Sequence, residues 1–222
     1  MRLIIGTYRK RTYIERALAS IDEHVHGVSD LVFVDDSGDA GHHGWLAQHG
    51  RVVDVGRRGY SAAMRAVCAA AEGQQFAFWE EDFTAIVDID PEAMAEILYQ
   101  RPYLAGVALL RQPWRRIEHE YGGLVEALEA QGHKFRNVDG VLEQTATFTC
   151  NPSVWRASVA ADGWPAGSRS EDRKRDLLNR DGYRSDSCRG SDFIMTECVP
   201  GSTIDVRIPL RPASDQLPRS RS

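Results

Sequence analysis

Three consecutive carboxylates, Glu80, Glu81 and Asp82, follow an apolar run at residues 76–79. Neighbouring like charges repel one another, so they require either a cation or open solvent to compensate them. Asp82 and Glu80 could together hold Mg²⁺ or Mn²⁺, because these hard ions prefer oxygen ligands. A solvated loop or the start of a helix accounts for the triplet equally well, so a metal site and a surface loop both stay open.

A second acidic segment, residues 35–39 with the sequence DDSGD, follows the apolar run at residues 31–34. Asp35 or Asp36 could accept hydrogen bonds from ribose hydroxyls or a base edge, as acidic residues after strands of nucleotide-binding folds do. The same composition is typical of an Asx-rich turn that closes a strand. By itself this segment is compatible with both roles.

The basic segment Arg57-Arg58-Gly59-Tyr60 precedes an alanine-rich stretch at residues 61–71 that favours a helix. Arg58 and the first N–H groups of that helix could lie near a diphosphate, and Gly59 would allow close backbone approach. An exposed basic turn is the alternative.

An alternation of strands and helices must position these loops. Strands are predicted at residues 2–6, 31–34, 51–55, 76–79, 103–110 and 141–150, and helices at residues 13–24, 61–71, 124–128, 172–180 and from residue 91 onward. Continuously apolar runs indicate strands buried on both faces. The pattern predicts an α/β, Rossmann-like fold with a mostly parallel central sheet, helices on both faces and ligands at the carboxyl ends of the strands.

Composition narrows the possible classes of protein. The chain has 222 residues and a net charge of −5, which argues against bulk binding of nucleic acid, because such binding depends on basic side chains. The four cysteines lie far apart and predict free thiols rather than a zinc site. No apolar stretch is long enough for a membrane span and no leader precedes Arg2, so we expect a cytoplasmic protein.

The order of these segments resembles that of the GT-A fold glycosyltransferases of the large inverting family 2. Residues 5–10 (IGTYRK) are similar to the turn after that family's first strand, and residues 34–39 (VDDSGD) to its Val-Asp-Asp-x-Ser-x-Asp motif. Residues 58–63 (RGYSAA) are similar to the helix that follows. Residues 80–82 (EED) look like a variant of its Asp-x-Asp metal motif, and residues 171–172 (ED) are similar to its base motif.

The resemblance implies the transfer of a sugar from a nucleotide-diphosphate-sugar, with a UDP-sugar expected first, to an acceptor hydroxyl with inversion. Mn²⁺ or Mg²⁺ would assist, with Asp82 and Glu80 as ligands. Asp172 would be the catalytic base, with Glu171 as the second choice. The residues expected to contact the donor are Thr7, Tyr8, Arg9, Asp35, Asp36, Arg58, Gly59, Ser61, Glu80 and Glu81.

The resemblance also implies one GT-A-like domain at residues 1–210. Residues 1–100 would bind the nucleotide-sugar, and residues 101–210 would form a small acceptor-side half. An acceptor or sugar pocket could be lined by Trp114, Arg115, Arg116, Glu118 and His119, or the tryptophan could pack on the surface among solvated charges. Residues 211–222 are rich in Pro, Ser and Arg and predict a mobile tail.

The chain departs from the family pattern at the late metal ligand, since residues 197–201 (ECVPG) contain no histidine. Glu197 or Cys198 could replace it, or the ligand could be absent. Two other functions stay open. A sugar-nucleotide nucleotidyltransferase would need a glycine-rich phosphate loop, whereas residues 6–11 (GTYRKR) contain a single glycine. The second alternative is a catalytically inactive module that binds a nucleotide-sugar or a carbohydrate.

The acceptor is not specified by these motifs. A polysaccharide, a lipid intermediate, a protein and a modified nucleobase all stay open, and the oligomeric state is not predicted.

Overall fold

The structure, a computed structural model, describes residues 1–188 and 194–197. The strands are β1 Arg2–Thr7, β2 Asp30–Asp35, β3 Arg51–Asp54, β4 Phe76–Glu80, β5 Phe83–Ala85, β6 Leu104–Ala108, β7 Leu110–Arg111, β8 Arg136–Val138, β9 Val141–Gln144, β10 Ser153–Trp155, β11 Arg184–Cys188 and β12 Ile194–Glu197. The helices are α1 Arg11–His24, α2 Ala40–Leu46, α3 Tyr60–Ala70, α4 Pro91–Gln100, α5 Arg116–Tyr121, α6 Leu124–Ala130, α7 Ala157–Ala161 and α8 Ser170–Arg180.

Most strands belong to a central sheet with the order β3-β2-β1-β4-β10-β6-β11-β9-β8. The first four strands of the chain pair in parallel, β10 is antiparallel to both of its neighbours, and β6 is parallel to β11. β9 and β8 pair in the antiparallel sense, and β5, β12 and β7 form a smaller sheet. The predicted α/β fold class is confirmed.

β1, β2 and β4 are buried on both faces, as their unbroken apolar sequences predict. In β1, Leu3 and Ile5 pack into the core on one face, and Ile4 packs into the core on the other. α1 and α4 cover the first face, and α3 covers the second. The carboxyl ends of these strands are therefore held by a core on each side, and the loops that follow them lie at one edge of the sheet.

Two helices begin at aspartate caps. The side chain of Asp90 accepts hydrogen bonds from two backbone N–H groups in the first turn of α4. Asp39 does the same for α2, a helix that the sequence did not indicate. The residues of α2, AGHHGWL, include two glycines and two histidines, so intrinsic propensity favours this helix weakly and the cap contributes much of its definition.

The structure limits the strand predicted at residues 141–150 to β9. The side chain of Gln144 donates to the backbone carbonyl of Thr147 and accepts from its N–H, which closes a turn. Phe148 and Cys150 then pack on the core from an irregular segment. Alternating β-branched residues indicate an extended chain, but this contact and the core packing bend it.

Other sequence predictions concern the tryptophans, the cysteines and the chain end. Trp155 and Trp164, which the sequence predicts as core residues or loop anchors, lie in the core, and their rings stack with centroids 5.8 Å apart. Cys68 and Cys150 are buried free thiols. In the part of the chain that the structure describes, no helix combines the length and the apolar character needed to cross a membrane. The tail predicted at residues 211–222 lies outside the described residues.

Candidate functional site

The polar loops after β1, β2 and β4 meet at one edge of the sheet. The strand register places Thr7 beside Asp35, and Gly6 beside Glu80. These loops and the start of α3 border a cavity of about 530 Å³, which we call the strand-end cavity. Its polar rim consists of Thr7, Tyr8, Asp36, Arg57, Gly59, Tyr60, Glu80, Glu81 and Asp82, and its other lining residues are Gly6, Ala63, Met64, Val67 and Phe78.

Asp35 lies fully buried behind the strand-end cavity. Its carboxylate accepts hydrogen bonds from Thr7 Oγ1 (2.9 Å), from the Ser37 N–H (3.0 Å) and from His43 Nε2 (2.8 Å). A buried carboxylate needs such donors, because an unpaired buried charge is costly. Asp35 therefore ties β1 to the turn after β2 and to α2, and its oxygens already have partners within the protein.

Asp36 holds the turn that leads into α3. Its two carboxylate oxygens accept the backbone N–H groups of Arg58 (2.7 Å) and Gly59 (2.8 Å). Gly59 has a φ of 84° and Arg57 a φ of 59°, in the left-handed region where glycine is the least strained residue. This bonding brings the start of α3 to the rim of the strand-end cavity.

Glu81 links the end of β4 to the end of β1. Its buried carboxylate accepts the backbone N–H of Tyr8 at 2.7 Å. Burial raises the pKa of Glu81 to about 7, and the Tyr8 N–H and the charge of Lys10 oppose that rise. Within the triplet, Glu81 is thus the carboxylate that is hydrogen-bonded to the protein backbone.

Glu80 and Asp82 are less buried than Glu81, and both line the strand-end cavity. No described residue donates a hydrogen bond to Asp82, whereas Glu80 has an interaction partner within the protein. Among the side chains that the structure describes, at residues 1–183, no three His, Cys, Asp or Glu groups converge in a way that could hold a metal ion. Glu197 pairs in β-sheet register with Phe83, next to Asp82, and Cys198 lies outside the described residues.

Glu171 and Asp172 lie at the start of α8 and have different partners. Asp172 accepts hydrogen bonds from Arg169 Nε (3.0 Å) and Arg175 Nη1 (3.1 Å). Glu171 Oε1 accepts the hydroxyl of Tyr60 at 2.5 Å. Asp172 is therefore bonded to two cations, and Glu171 to a neutral donor.

Glu171, Asp172 and Glu80 line a second cavity of about 430 Å³, the central cavity. Trp114, Arg115, Cys150 and Asn151 are also among its lining residues. Glu80 borders the strand-end cavity as well. The predicted donor side and the predicted base are therefore brought to adjoining spaces that share one carboxylate.

Cys150 and Tyr60 are two site residues that the sequence did not single out for chemistry. Burial, together with the charges of Glu171 and Glu80, raises the pKa of the Cys150 thiol, which lines the central cavity with both carboxylates. Partial burial and the same neighbours raise the pKa of Tyr60. Both groups stay protonated at neutral pH and can act as donors. The sequence signal for Tyr60 was its place in the motif at residues 58–63, directly after Gly59. No sequence signal pointed to Cys150.

Glu118 organises the loop that presents Trp114 and Arg115. Arg111 donates two hydrogen bonds to the Glu118 carboxylate, at 2.7 and 2.9 Å, and the N–H of Trp114 donates a third at 2.7 Å. Burial of Glu118 opposes ionisation, but these bonds outweigh it and lower its pKa to about 2. Trp114, half exposed, is held in this way at the central cavity.

Four of the residues expected to contact the donor do not line the strand-end cavity: Arg9, Asp35, Arg58 and Ser61. Arg9 donates to the carbonyl of Ser37, and Ser61 Oγ donates to the carbonyl of Gly167 at 2.7 Å. Arg58 and Ser61 border a third cavity, on the far side of Tyr60. The expected donor residues Thr7, Tyr8, Asp36, Gly59, Glu80 and Glu81 line the strand-end cavity, and so does Asp82.

Comparison with solved structures places the fold. The mannosyltransferase PcManGT from Pyrobaculum calidifontis, solved in complex with GDP-Man and Mn²⁺, has a TM-score of 0.61 and 19% identity over 90% of this chain and 57% of its own. GalNAc-T7, solved with UDP, GalNAc and Mn²⁺, has a TM-score of 0.62 and 9% identity over 88% of this chain and 43% of its own. S. aureus TarS, solved with UDP, has a TM-score of 0.55 and 13% identity over 89% of this chain and 60% of its own.

These similarities define the class of fold, which is that of the GT-A glycosyltransferases. No protein-family model matches the sequence, and no curated protein matches it. The chain spans between 43% and 60% of the length of these three structures.

Proposed function

We propose that the chain is an inverting, metal-assisted glycosyltransferase that moves a sugar from a nucleotide-diphosphate-sugar to an acceptor hydroxyl. One observation carries the proposal. Glu80 borders both the strand-end cavity and the central cavity that contains Glu171 and Asp172. A sugar transferred between a donor and an acceptor must lie between their two sites, and these adjoining cavities supply that arrangement.

The strand-end cavity suits the nucleotide part of a donor. Met64, Val67 and Phe78 offer apolar surface for a base, while Arg57 and the carboxylates lie on the polar rim. Ligands of α/β sheets bind outside the carboxyl ends of the strands, which is where this cavity lies. Two of the similar structures were solved with UDP and one with GDP-Man, so a UDP-sugar is the first donor to test.

Glu80 and Asp82 fit Mn²⁺ or Mg²⁺ as a partial ligand set. Both are oxygen donors on the rim of the cavity, and Asp82 has no hydrogen-bond donor among the described residues. Such ions commonly complete their coordination with water and substrate phosphate oxygens, so two protein carboxylates are chemically sufficient. The bound metal would offset the negative charge that develops on the leaving diphosphate. PcManGT and GalNAc-T7 were both solved with Mn²⁺.

The partners of the two α8 carboxylates favour Glu171 over Asp172 as the catalytic base. A base must release its hydrogen-bond partners easily and accept a proton from the acceptor hydroxyl. Both bonds that Asp172 accepts come from guanidinium groups, which an acceptor hydroxyl would have to displace. Tyr60 is a neutral donor that orients Glu171 without adding positive charge. Direct displacement with this base would invert the anomeric configuration.

Asp82→Asn is the sharpest test of the donor site. Thermal unfolding would be measured with a panel of nucleotide-sugars, each with Mn²⁺ and with EDTA. A donor should raise the melting temperature of the unchanged protein only with Mn²⁺, because a ligand that binds the native state stabilises it. Asp82→Asn should lose this shift, and Asp22→Asn, which changes an exposed carboxylate on α1, should keep it.

The outcome also separates the rival functions. Stabilisation that is the same in both variants contradicts the metal assignment. Donor binding with neither transfer nor hydrolysis indicates a binding module, and formation of a nucleotide-sugar from a sugar phosphate and a nucleoside triphosphate indicates a nucleotidyltransferase.

A further inference from the structure

A third cavity of about 750 Å³, the arginine cavity, adjoins the central cavity at the start of α8. Glu171, Asp172 and Arg115 line both cavities. Four guanidinium groups border the arginine cavity, and they come from three separate parts of the chain: Arg58, Arg65, Arg115 and Arg169. The chain as a whole carries a net charge of −5, so this concentration of positive charge is local.

Three of these arginines form no ion pair with the side chains that the structure describes, although Glu171 and Asp172 line the same cavity. Among the side chains that the structure describes, none forms an ion pair with Arg58, Arg65 or Arg115, whereas Arg169 pairs with Asp172 at 3.0 Å. The four guanidinium groups outnumber the two carboxylates that line the cavity, and a bound anion would balance the excess of positive charge. The planar fork of arginine is suited to phosphate, to which it can donate two parallel hydrogen bonds.

The backbone adds partial positive charge at the arginine cavity. α3 and α8, each of 11 residues, both begin at the arginine cavity. Neither helix has a side-chain cap that accepts its first N–H groups. The N-terminal end of a helix carries partial positive charge, so both helices favour an anion in the same space.

We propose that the arginine cavity binds a phosphate group of the acceptor. The inference rests on the proposed function and names the class of acceptor. The acceptor phosphate lies between Arg65 and Arg115, and its hydroxyl extends past Tyr60 to Glu171, which borders both cavities. The donor diphosphate is a different group, because Arg65 and Arg115 do not line the strand-end cavity.

The test uses glycerol 3-phosphate as the probe and glycerol as its neutral counterpart, with binding measured by calorimetry on the full chain. Glycerol 3-phosphate should bind and glycerol should not. Arg65→Ala and Arg115→Ala should each weaken the binding about tenfold or more, since a hydrogen bond to a charged group contributes at least that much. Arg16→Ala, which removes an exposed arginine on α1, is the matched control and should bind as the unchanged protein does. Arg65→Lys should restore part of the affinity if charge is the cause.

A second arm distinguishes a soluble phosphate from a lipid headgroup. Cosedimentation with phosphatidylcholine vesicles that contain phosphatidic acid is compared with cosedimentation with phosphatidylcholine alone. Binding to the phosphatidic acid vesicles that is lost in Arg65→Ala and kept in Arg16→Ala supports a lipid phosphate as the source, and binding of glycerol 3-phosphate alone supports a soluble one.

The proposal is overturned if neither probe binds, or if the Arg65 and Arg115 variants bind as tightly as the Arg16 variant. Stabilisation by the nucleotide-sugars is measured separately and reports on the strand-end cavity. If a nucleotide-sugar stabilises the protein but neither phosphate probe binds, the acceptor proposal is wrong and the proposed transferase function is still supported. Arginine-dependent phosphate binding without donor stabilisation removes the transferase and leaves an anion site that serves no glycosyl transfer.

Discussion

The strand-end cavity and the central cavity are held together by different kinds of bond. At the strand ends, carboxylates accept backbone N–H groups, as Asp36 does from Arg58 and Gly59, and Glu81 from Tyr8. Around the central cavity, side chains also bond to side chains, as in Glu118 with Arg111, Asp172 with Arg175, and Glu171 with Tyr60.

This difference has a consequence for specificity. A carboxylate that binds a backbone N–H keeps its partner when the partner's side chain changes, provided that the backbone conformation is kept, as the positive φ of Gly59 requires. A side-chain pair is lost when either residue changes. We therefore expect the donor side to be the constant part of this site and the acceptor side to be the part that sequence change can retune.

The largest expected effect is on turnover and compares the two carboxylates of α8. Glu171→Gln should lower the turnover number by about 10² to 10⁴, which is the contribution of a general base. Asp172→Asn should lower it less, because the loss affects only the bonds with Arg169 and Arg175. Initial rates at saturating donor and acceptor measure both. A larger loss in Asp172→Asn would return the base assignment to Asp172.

The next effect is on stability at the acceptor side. Glu118→Ala should destabilise the fold by about 3–5 kcal/mol, because it leaves the guanidinium of Arg111 without its buried partner. Glu120→Ala on the same helix removes an exposed ion pair with Arg116 and should cost at most about 1 kcal/mol. Urea unfolding of both variants gives the two free energies, and equal values would show that Glu118 does not anchor this loop.

A smaller loss of stability is expected at the strand ends. Asp36→Ala removes two hydrogen bonds from backbone N–H groups to a buried carboxylate and should cost roughly 3 kcal/mol. It should also weaken donor binding, because the start of α3 is no longer held at the cavity. Asp54→Ala removes one such bond from an exposed carboxylate and is the control, with an expected cost below about 1 kcal/mol. Unfolding by urea and donor binding would both be measured.

The smallest expected effect is a pH dependence at Glu81. Burial raises its pKa to about 7 in the folded protein, above the ordinary value of 4.5, so the native state holds this proton to higher pH than the unfolded chain. Stability from this group is complete below about pH 4.5 and is lost as the pH rises through about 7. Glu81→Gln cannot ionise and should lose less stability over this interval.

Urea unfolding of the unchanged protein and of Glu81→Gln at pH 5, 6, 7 and 8, in metal-free buffer, gives this difference. Parallel stability curves would mean that Glu81 titrates normally in the folded protein. Glu92→Gln, an exposed change at the start of α4, controls for the loss of a carboxylate elsewhere.

The sequence by itself determined the strands that carry the donor side. The unbroken apolar runs at residues 31–34 and 76–79 predict strands buried on both faces, and both are present as β2 and β4. Polar residues directly after such strands must lie at one edge of a parallel sheet, so the neighbourhood of Asp36 and Glu80 followed from local pattern alone. The roles of these residues toward a donor stay predictions.

Only the tertiary structure decided which of these residues face a cavity and which face one another. Asp35 and Asp36 are adjacent and chemically identical, yet one is fully buried among three donors and the other lines the strand-end cavity. β10, three residues long, inserts between β4 and β6 without a local signal for its position. Tyr60 meets Glu171 across 111 positions of sequence. Local propensity and hydrophobic period encode which residues are buried, whereas the identity of a distant partner depends on how the helices and strands pack.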